Sequence, residues 1–182
     1  MPPSEDDLQN SQPDQQPENP NGLQAFQTLS SFLEEDGWFP RRMEGKYSFV
    51  MSYNGQSGDM RCYAMVRVDL EELIFYVVSP VKIPEEVRIA AVEFITRANY
   101  GLRIGNFEMD FSDGEVRYKS SLNFENQELS GDYIRNTIYP AVHTMDRYLP
   151  GLLRVSFGGA TPLEAIEEIE GPADLKNEES GV

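Results

Sequence analysis

The chain has 182 residues, of which 40% are hydrophobic and 25% charged, a composition typical of a globular protein with room for one ordinary domain. No apolar run approaches the roughly 20 residues that cross a bilayer, and the first twenty residues lack the apolar stretch of a signal peptide. The single cysteine, Cys62, excludes an internal disulfide. We therefore expect a cytoplasmic protein that does not insert into membranes.

The net charge of −16 is concentrated at the two ends of the chain. Residues 1–20 carry five acids and no Lys or Arg, and residues 164–182 carry seven acids against Lys176. Both ends are poor in aromatic and branched residues, so we predict disordered acidic tails at residues 1–20 and 171–182 around a domain at residues 21–170. The tails would serve solubility or attract a basic partner, and an acidic chain disfavours nucleic acid as a partner.

Hydrophobic periodicity predicts a helix followed by three strands. Apolar residues recur at helical spacing over residues 22–36, and Gly37 is placed to end this helix. Side chains then alternate with a period of two over residues 47–53 and 60–68, which predicts two strands joined by a loop. Residues 73–78 are apolar on both sides, as in an interior strand.

Facing apolar residues set the register of these strands. Four cross-strand pairs then share one face: Tyr53 with Met60, Met51 with Cys62, Phe49 with Ala64, and Tyr47 with Val66. The same argument sets Val68 against Leu73 at the next turn.

A second helix and a hairpin follow. Pro84 with two acids has the form of a helix start, and an apolar stripe continues to Ala98. Asp113 and Gly114 predict a two-residue turn. That turn sets four pairs, two apolar and two charged: Phe111 with Val116, Met109 with Tyr118, Asp110 with Arg117, and Glu108 with Lys119.

Ser130 is a plausible N-cap for a third helix, which we expect Pro140 to interrupt and Pro150 with Gly151 to bend or end. Thr161 and Glu164 have the spacing of a capping box before a short acidic helix. The element order is thus α-β-β-β-α-β-β-α with a small helical end. Hairpins dominate it, so we predict an α+β fold with an antiparallel five-stranded sheet.

Five strings resemble the YbjN-domain family: residues 94–101 (Phe-Ile-Thr-Arg-Ala-Asn-Tyr-Gly), 105–110 (Gly-Asn-Phe-Glu-Met-Asp), 113–118 (Asp-Gly-Glu-Val-Arg-Tyr), 146–150 (Asp-Arg-Tyr-Leu-Pro) and 158–166. The resemblance runs from about residue 23 to residue 169. It implies the architecture of type III secretion chaperones and a non-catalytic protein-binding module associated with sensory-transduction regulation. The family offers no catalytic residues to transfer to this chain.

Residues that suggest chemistry have simpler interpretations. One His and one Cys cannot supply the usual zinc ligands, and Asp110 and Asp113 lack the alternating ligands of a calcium loop, so we predict no metal and no cofactor. His143 has an acid nearby but no nucleophile elbow, and Cys62 falls on the inward side of its strand. Gly158 and Gly159 lack the Lys and Ser or Thr of a phosphate loop.

The register leaves a second sheet face that contains aromatic, Met and branched residues with Arg at its border. We predict a partner or dimer interface at Val50, Arg61, Tyr63, Met65, Arg67, Ile74, Tyr76 and Val78. The alternative is that helices cover this face as well. We therefore expect no enzyme but a chaperone-like or regulatory module that binds a protein or a second copy of itself, with a small enzyme or ligand-binding domain near His143 as the alternative.

Overall fold

The computed structural model describes residues 19–174 of the chain, with side chains to residue 171. Residues 1–18 and 175–182 of the predicted acidic tails lie outside the described residues, so the division into tails and domain stays a prediction. The described elements are, in chain order, α1 (Pro20–Glu35), β1 (Arg41–Arg42), β2 (Ser48–Asn54), β3 (Asp59–Arg67), β4 (Glu72–Lys82), α2 (Arg88–Gly101), β5 (Asn106–Met109), β6 (Glu115–Asn123), α3 (Gly131–Phe157) and α4 (Pro162–Asp174).

The strands form one sheet in the order β1-β2-β3-β4-β6-β5, and every neighbouring pair is antiparallel. The predicted α+β class with an antiparallel sheet is confirmed, but the count of five strands is wrong because β1 adds a sixth. The two arginines of β1 follow a proline and show no alternation of apolar side chains, which is the pattern that predicts a strand. They pair with β2 because the chain turns back after them, and the Met43 N–H donates to the Ser48 carbonyl oxygen at 2.9 Å.

The predicted register between β2 and β3 is confirmed. Phe49 faces Ala64, Met51 faces Cys62 and Tyr53 faces Met60, while the Val66 N–H donates to the Tyr47 carbonyl oxygen at 2.9 Å. The pairing of Val68 with Leu73 is wrong, because Leu73 faces Val66 instead. Val68 lies in a tight 3-10 turn that Glu71 completes in the left-handed conformation, a turn type that apolar pairing alone does not reveal.

The predicted register of the β5–β6 hairpin is also wrong by two residues. Met109 faces Val116 and Glu108 faces Arg117, because the turn is longer than two residues. The Asp110 N–H donates to the Glu115 carbonyl oxygen at 2.9 Å, and the Asp110 carboxylate accepts the Ser112 N–H at 2.8 Å. A shift of two keeps each side chain on its predicted face.

Helix α3 is continuous over 27 residues, so the predicted interruption at Pro140 is wrong and the helix does not end at Pro150. A bend at Pro150 and Gly151 stays a prediction. Each proline removes one backbone hydrogen bond, whereas the helix buries a stripe of side chains along its whole length against β4 and β6. The predicted cap at Ser130 is confirmed, since its hydroxyl oxygen accepts the Tyr133 N–H. No helix in residues 19–174 is long and apolar enough to cross a membrane.

The helices pack on one face of the sheet. Phe26 of α1 stacks on Phe49 at 4.9 Å between ring centroids, and Tyr148 of α3 meets Phe107 at 5.6 Å. The capping box of α4 is confirmed, because the Thr161 N–H donates to the Glu164 carboxylate at 2.9 Å. The sheet contributes to this core a set of fully or nearly fully buried side chains: Phe49, Met51, Met60, Cys62, Ala64, Val66, Leu73, Phe75, Val77, Phe107, Val116 and Tyr118.

Glu71 joins three segments at one end of the sheet. Its carboxylate accepts the Asn126 N–H at 2.7 Å and the Asn19 side-chain amide at 2.7 Å. Asn19 in turn caps α1. The Asn126 N–H, followed by the Asn19 amide, holds the pKa of Glu71 below its ordinary value of 4.5.

We expect Glu71→Gln to reduce the free energy of unfolding at pH 7 and to reduce it progressively less as the pH falls below 4.5. The folded-state pKa is depressed, so the stabilisation is present above the unfolded pKa and lost as the carboxylate is protonated. Urea unfolding of both proteins at several pH values measures the difference. Glu125→Gln, in an exposed position close by, is the control, and an effect of Glu71→Gln that does not change with pH would contradict the assignment to charge.

Exchange of charges tests the β5–β6 register. Glu108 lies opposite Arg117, at 2.8 Å, and diagonal to Lys119, at 2.6 Å. Exchanging Glu108 with Arg117 should therefore cost less stability than exchanging Glu108 with Lys119, because the second exchange leaves like charges directly opposite each other. Urea unfolding should resolve a difference of about 0.2 to 1 kcal/mol. If the exchange of Glu108 with Lys119 cost less stability instead, the register predicted from a two-residue turn would be the correct one.

Candidate functional site

The second sheet face carries all eight residues predicted as a partner or dimer interface; we call it the open face. Six of them are half-buried and the two arginines are exposed. Tyr63 lies directly opposite Tyr76 in the middle of the sheet, with Val50 on the far side of Tyr63. Met65 pairs with Ile74 one row along. The alternative, that helices cover this face as well, does not agree with the structure, since α1 and α3 lie on the opposite face.

Strand β6 extends the open face beyond the predicted residues. Lys119 lies opposite Tyr76, and the Arg117 guanidinium lies 4.3 Å from the centre of the Tyr76 ring. Both cations bind Glu108. Partial burial raises the pKa of Glu108, but the hydrogen bonds from Lys119 and Arg117 outweigh it and hold this pKa below its ordinary value. Both cations at this edge of the face are therefore paired with a carboxylate.

The opposite edge carries unbalanced positive charge. A groove of about 1120 Å³ lies beside β1 and β2, and we call it the cationic groove. Four cations line it, Arg41, Arg42, Lys46 and Arg61, against one acid, Glu44. Among residues 19–171 none of these four cations forms an ion pair; Arg42 instead lies over the Phe26 ring at 5.1 Å.

The cationic groove continues into the centre of the open face. A smaller cavity of about 230 Å³ shares Met43, Lys46 and Tyr63 with the groove and reaches Tyr76. Ser48 lines this cavity, is only 4% exposed, and has no hydrogen-bond partner for its hydroxyl among the described residues. A buried hydroxyl without a partner is costly to the fold.

Phe39 stands at the rim of the cationic groove and is 92% exposed. Its backbone has a φ of 50°, in the left-handed region that side chains other than Gly and Asn rarely adopt. Strain of this kind is found where the surrounding chain dictates it and is common at functional surfaces. The flanking Trp38 anchors this segment, since its indole N–H donates to Asp36 at 3.1 Å and its ring meets Phe75 and Tyr139.

The residues that suggested chemistry have structural roles. Cys62 is fully buried, and burial raises the pKa of its thiol to about 12. His143 is exposed on α3 beside the Tyr139 ring. The acid close to it, Asp146, holds the β2–β3 loop, because its carboxylate accepts the N–H groups of Gln56 and Ser57 at 3.0 and 2.8 Å.

Gly158 ends α3, and Gly159 has a φ of 71°, so this pair forms a joint between two helices rather than a phosphate loop. In the part of the chain that carries described side chains, no three His, Cys, Asp or Glu residues cluster as metal ligands would.

Fold and surface together define an α+β domain that packs all its helices on one sheet face and presents tyrosines on the other. The chain belongs to the YbjN family, whose model, described as "Putative bacterial sensory transduction regulator", matches residues 26–154. The sequence resemblance to this family is thus confirmed. No curated protein matches the chain significantly.

Solved structures that are similar to this chain include the two that follow. The crystal structure of YbjN from E. coli is 10% identical with a TM-score of 0.48, and the match covers 66% of this chain and 85% of that one. The structure of the HopA1–SchA chaperone–effector complex contains a chain that is 14% identical with a TM-score of 0.48, and the match covers 71% of this chain and 95% of that one.

Phe39→Asn should raise the free energy of unfolding by up to about 1 kcal/mol, because asparagine adopts the left-handed conformation more readily and the exposed ring has little burial to lose. Urea unfolding measures the change. Tyr100→Asn is the matched control, since Tyr100 is 86% exposed but lies in a right-handed helix, where no gain is expected. A clear loss of stability in Phe39→Asn would mean that the ring has stabilising contacts despite its exposure.

Proposed function

We propose that this chain is a non-catalytic protein-binding module that acts as a chaperone-like or regulatory factor of the sensory-transduction type, and that its open face is the binding surface. The observation that carries the proposal is the uncovered pair Tyr63 and Tyr76 at the centre of a sheet whose other face is buried under helices. The description of the YbjN family as a regulator agrees with this role.

The chemistry of the open face suits recognition of a polypeptide. Tyrosine supplies a large contact area with few rotatable bonds, and tyrosine and arginine are enriched among the residues that dominate interface energies. Tyr63 and Tyr76 lie on β3 and β4, which have a paired strand on each side, so their positions are fixed before a partner arrives. The Ser48 hydroxyl, which has no hydrogen-bond partner among the described residues, lies in the wall of the cavity beside these two tyrosines.

A small enzyme or ligand-binding domain near His143 has less support. The carboxylate of Asp146 is occupied by the backbone of the β2–β3 loop, and the cationic groove and its smaller extension are lined by other residues. A second copy of the chain, by contrast, remains an alternative occupant of the open face, and the experiment below separates it from a different protein.

The double variant Tyr63→Ser with Tyr76→Ser should weaken association by at least about tenfold, because truncating an anchor residue costs on the order of 2 kcal/mol and each 1.4 kcal/mol is a factor of ten. Circular dichroism and cooperative unfolding should stay close to wild type, since both rings are only half-buried. A photo-cross-linking amino acid at Ser121, exposed on the open face opposite Ile74, reports capture in the native cell. Sedimentation velocity reports self-association.

Tyr100→Ser with Tyr133→Ser is the matched control, because it removes two exposed tyrosines from helices α2 and α3. It should leave capture unchanged. A Tyr63 and Tyr76 double variant that folds and associates normally would place the interface elsewhere, and one that loses cooperative unfolding would show that the face is needed for folding. Loss of self-association alone would identify a homodimer.

A further inference from the structure

The cationic groove has a charge opposite to that of the chain as a whole. The chain has a net charge of −16, yet the groove gathers Arg41, Arg42, Lys46 and Arg61 with only Glu44 among them. Within residues 19–171, carboxylates pair with cations elsewhere on the open face, as Glu108 does with Arg117 and Lys119, but none pairs with these four. Clustered cations that remain unpaired favour an acidic occupant.

The N-terminal segment, residues 1–18, has the matching charge. It contains five acids and no Lys or Arg: Glu5, Asp6, Asp7, Asp14 and Glu18. Residues 175–182 are a weaker match, because they carry two acids against Lys176.

The N-terminal segment joins the described chain at one end of the sheet. Asn19 binds Glu71 in the turn between β3 and β4. The neighbouring Glu72 lies opposite Arg67, which borders the open face, with a closest distance of 3.8 Å between their charged groups. The segment therefore starts at the end of the same two strands that carry Tyr63 and Tyr76.

The segment is long enough to reach the groove from there. Arg61 lies six residues along β3 from Arg67, a distance of about 20 Å at the usual rise of an extended strand. Eighteen residues span up to about 60 Å when extended, which is about three times this distance. The length of the segment therefore permits binding within one chain.

We propose that residues 1–18 bind the cationic groove of their own chain through their carboxylates. Each exposed ion pair contributes only about 0.2 to 1 kcal/mol, so binding requires several pairs to form together, aided by the millimolar effective concentration that a covalent link supplies. Because the groove is continuous with the centre of the open face through Met43 and Tyr63, the bound segment competes with the protein partner, a consequence that rests on the proposed function.

Paramagnetic relaxation measured by NMR on the full chain tests this directly. A nitroxide is attached to Ser11→Cys; the native Cys62 is fully buried with a raised pKa and does not react under native conditions. At low salt we expect selective broadening of amides near Arg41, Ser52 and Arg61. The broadening should disappear at 0.5 M NaCl, where charges on the surface are screened within a few ångströms.

Two sets of variants tie the broadening to charge. Arg41→Gln with Arg61→Gln should reduce it severalfold, whereas Arg97→Gln with Arg103→Gln, which removes two exposed cations around the end of α2, should not. Replacing the five acids of residues 1–18 by their amides should abolish it without altering any residue of the folded core. This second set keeps the test valid if a groove variant folds poorly.

Absent or uniform broadening at low salt would overturn the proposal. The proposal would also be overturned if broadening appeared only after chains that carry the nitroxide were mixed with isotope-labelled chains that lack it. The occupant of the groove would then be the N-terminal segment of a second copy. Neither result affects the experiment on Tyr63 and Tyr76. Failure of the proposed groove binding can therefore be distinguished from failure of the proposed function. If both hold, the five amide replacements should also raise the cross-linking yield at Ser121.

Discussion

Alternation of side chains across the strands is the constraint on which the rest of this structure depends. Along β3 and β4 every second residue is buried, and the helices pack on that side alone. Each residue between them is then forced onto the other face, whatever its chemistry. Tyr63 and Tyr76 face each other there because Cys62 and Val77 face each other in the core. The proposed binding surface is thus a direct consequence of how the core is built.

Several acids that resemble functional groups instead hold segments of the fold together. Asp146 binds the β2–β3 loop, and Glu71 joins the start of α1 to the turns before β4 and α3. Asp36 accepts hydrogen bonds from Tyr139 at 2.6 Å and from Arg135 at 3.0 Å, which ties the end of α1 to α3. Burial raises the pKa of Asp36, but the hydrogen bonds from Tyr139, Trp38 and Arg135 outweigh it and lower this pKa overall.

The open face combines two electrostatic environments around one apolar centre. On the β6 side, Glu108 pairs with both Arg117 and Lys119, and Arg117 lies against Tyr76. On the β1 side, positive charge is left unpaired among the described residues around an exposed, strained Phe39. A partner that spans both sides would therefore contact a rim of paired charges and a positive groove, and a segment with acidic and apolar residues fits this combination best.

The sequence by itself determined the faces of the strands, the register of β2 with β3, and the eight residues of the open face, because a period of two requires only local alternation. It did not determine which face the helices choose, since apolar residues occur on both. Tertiary structure also placed β6 beside β4, which brought Arg117 to Tyr76, and paired β1 with β2, which created the cationic groove. Those contacts join residues distant in the chain or strands too short to show periodicity, so packing and turn geometry decided them.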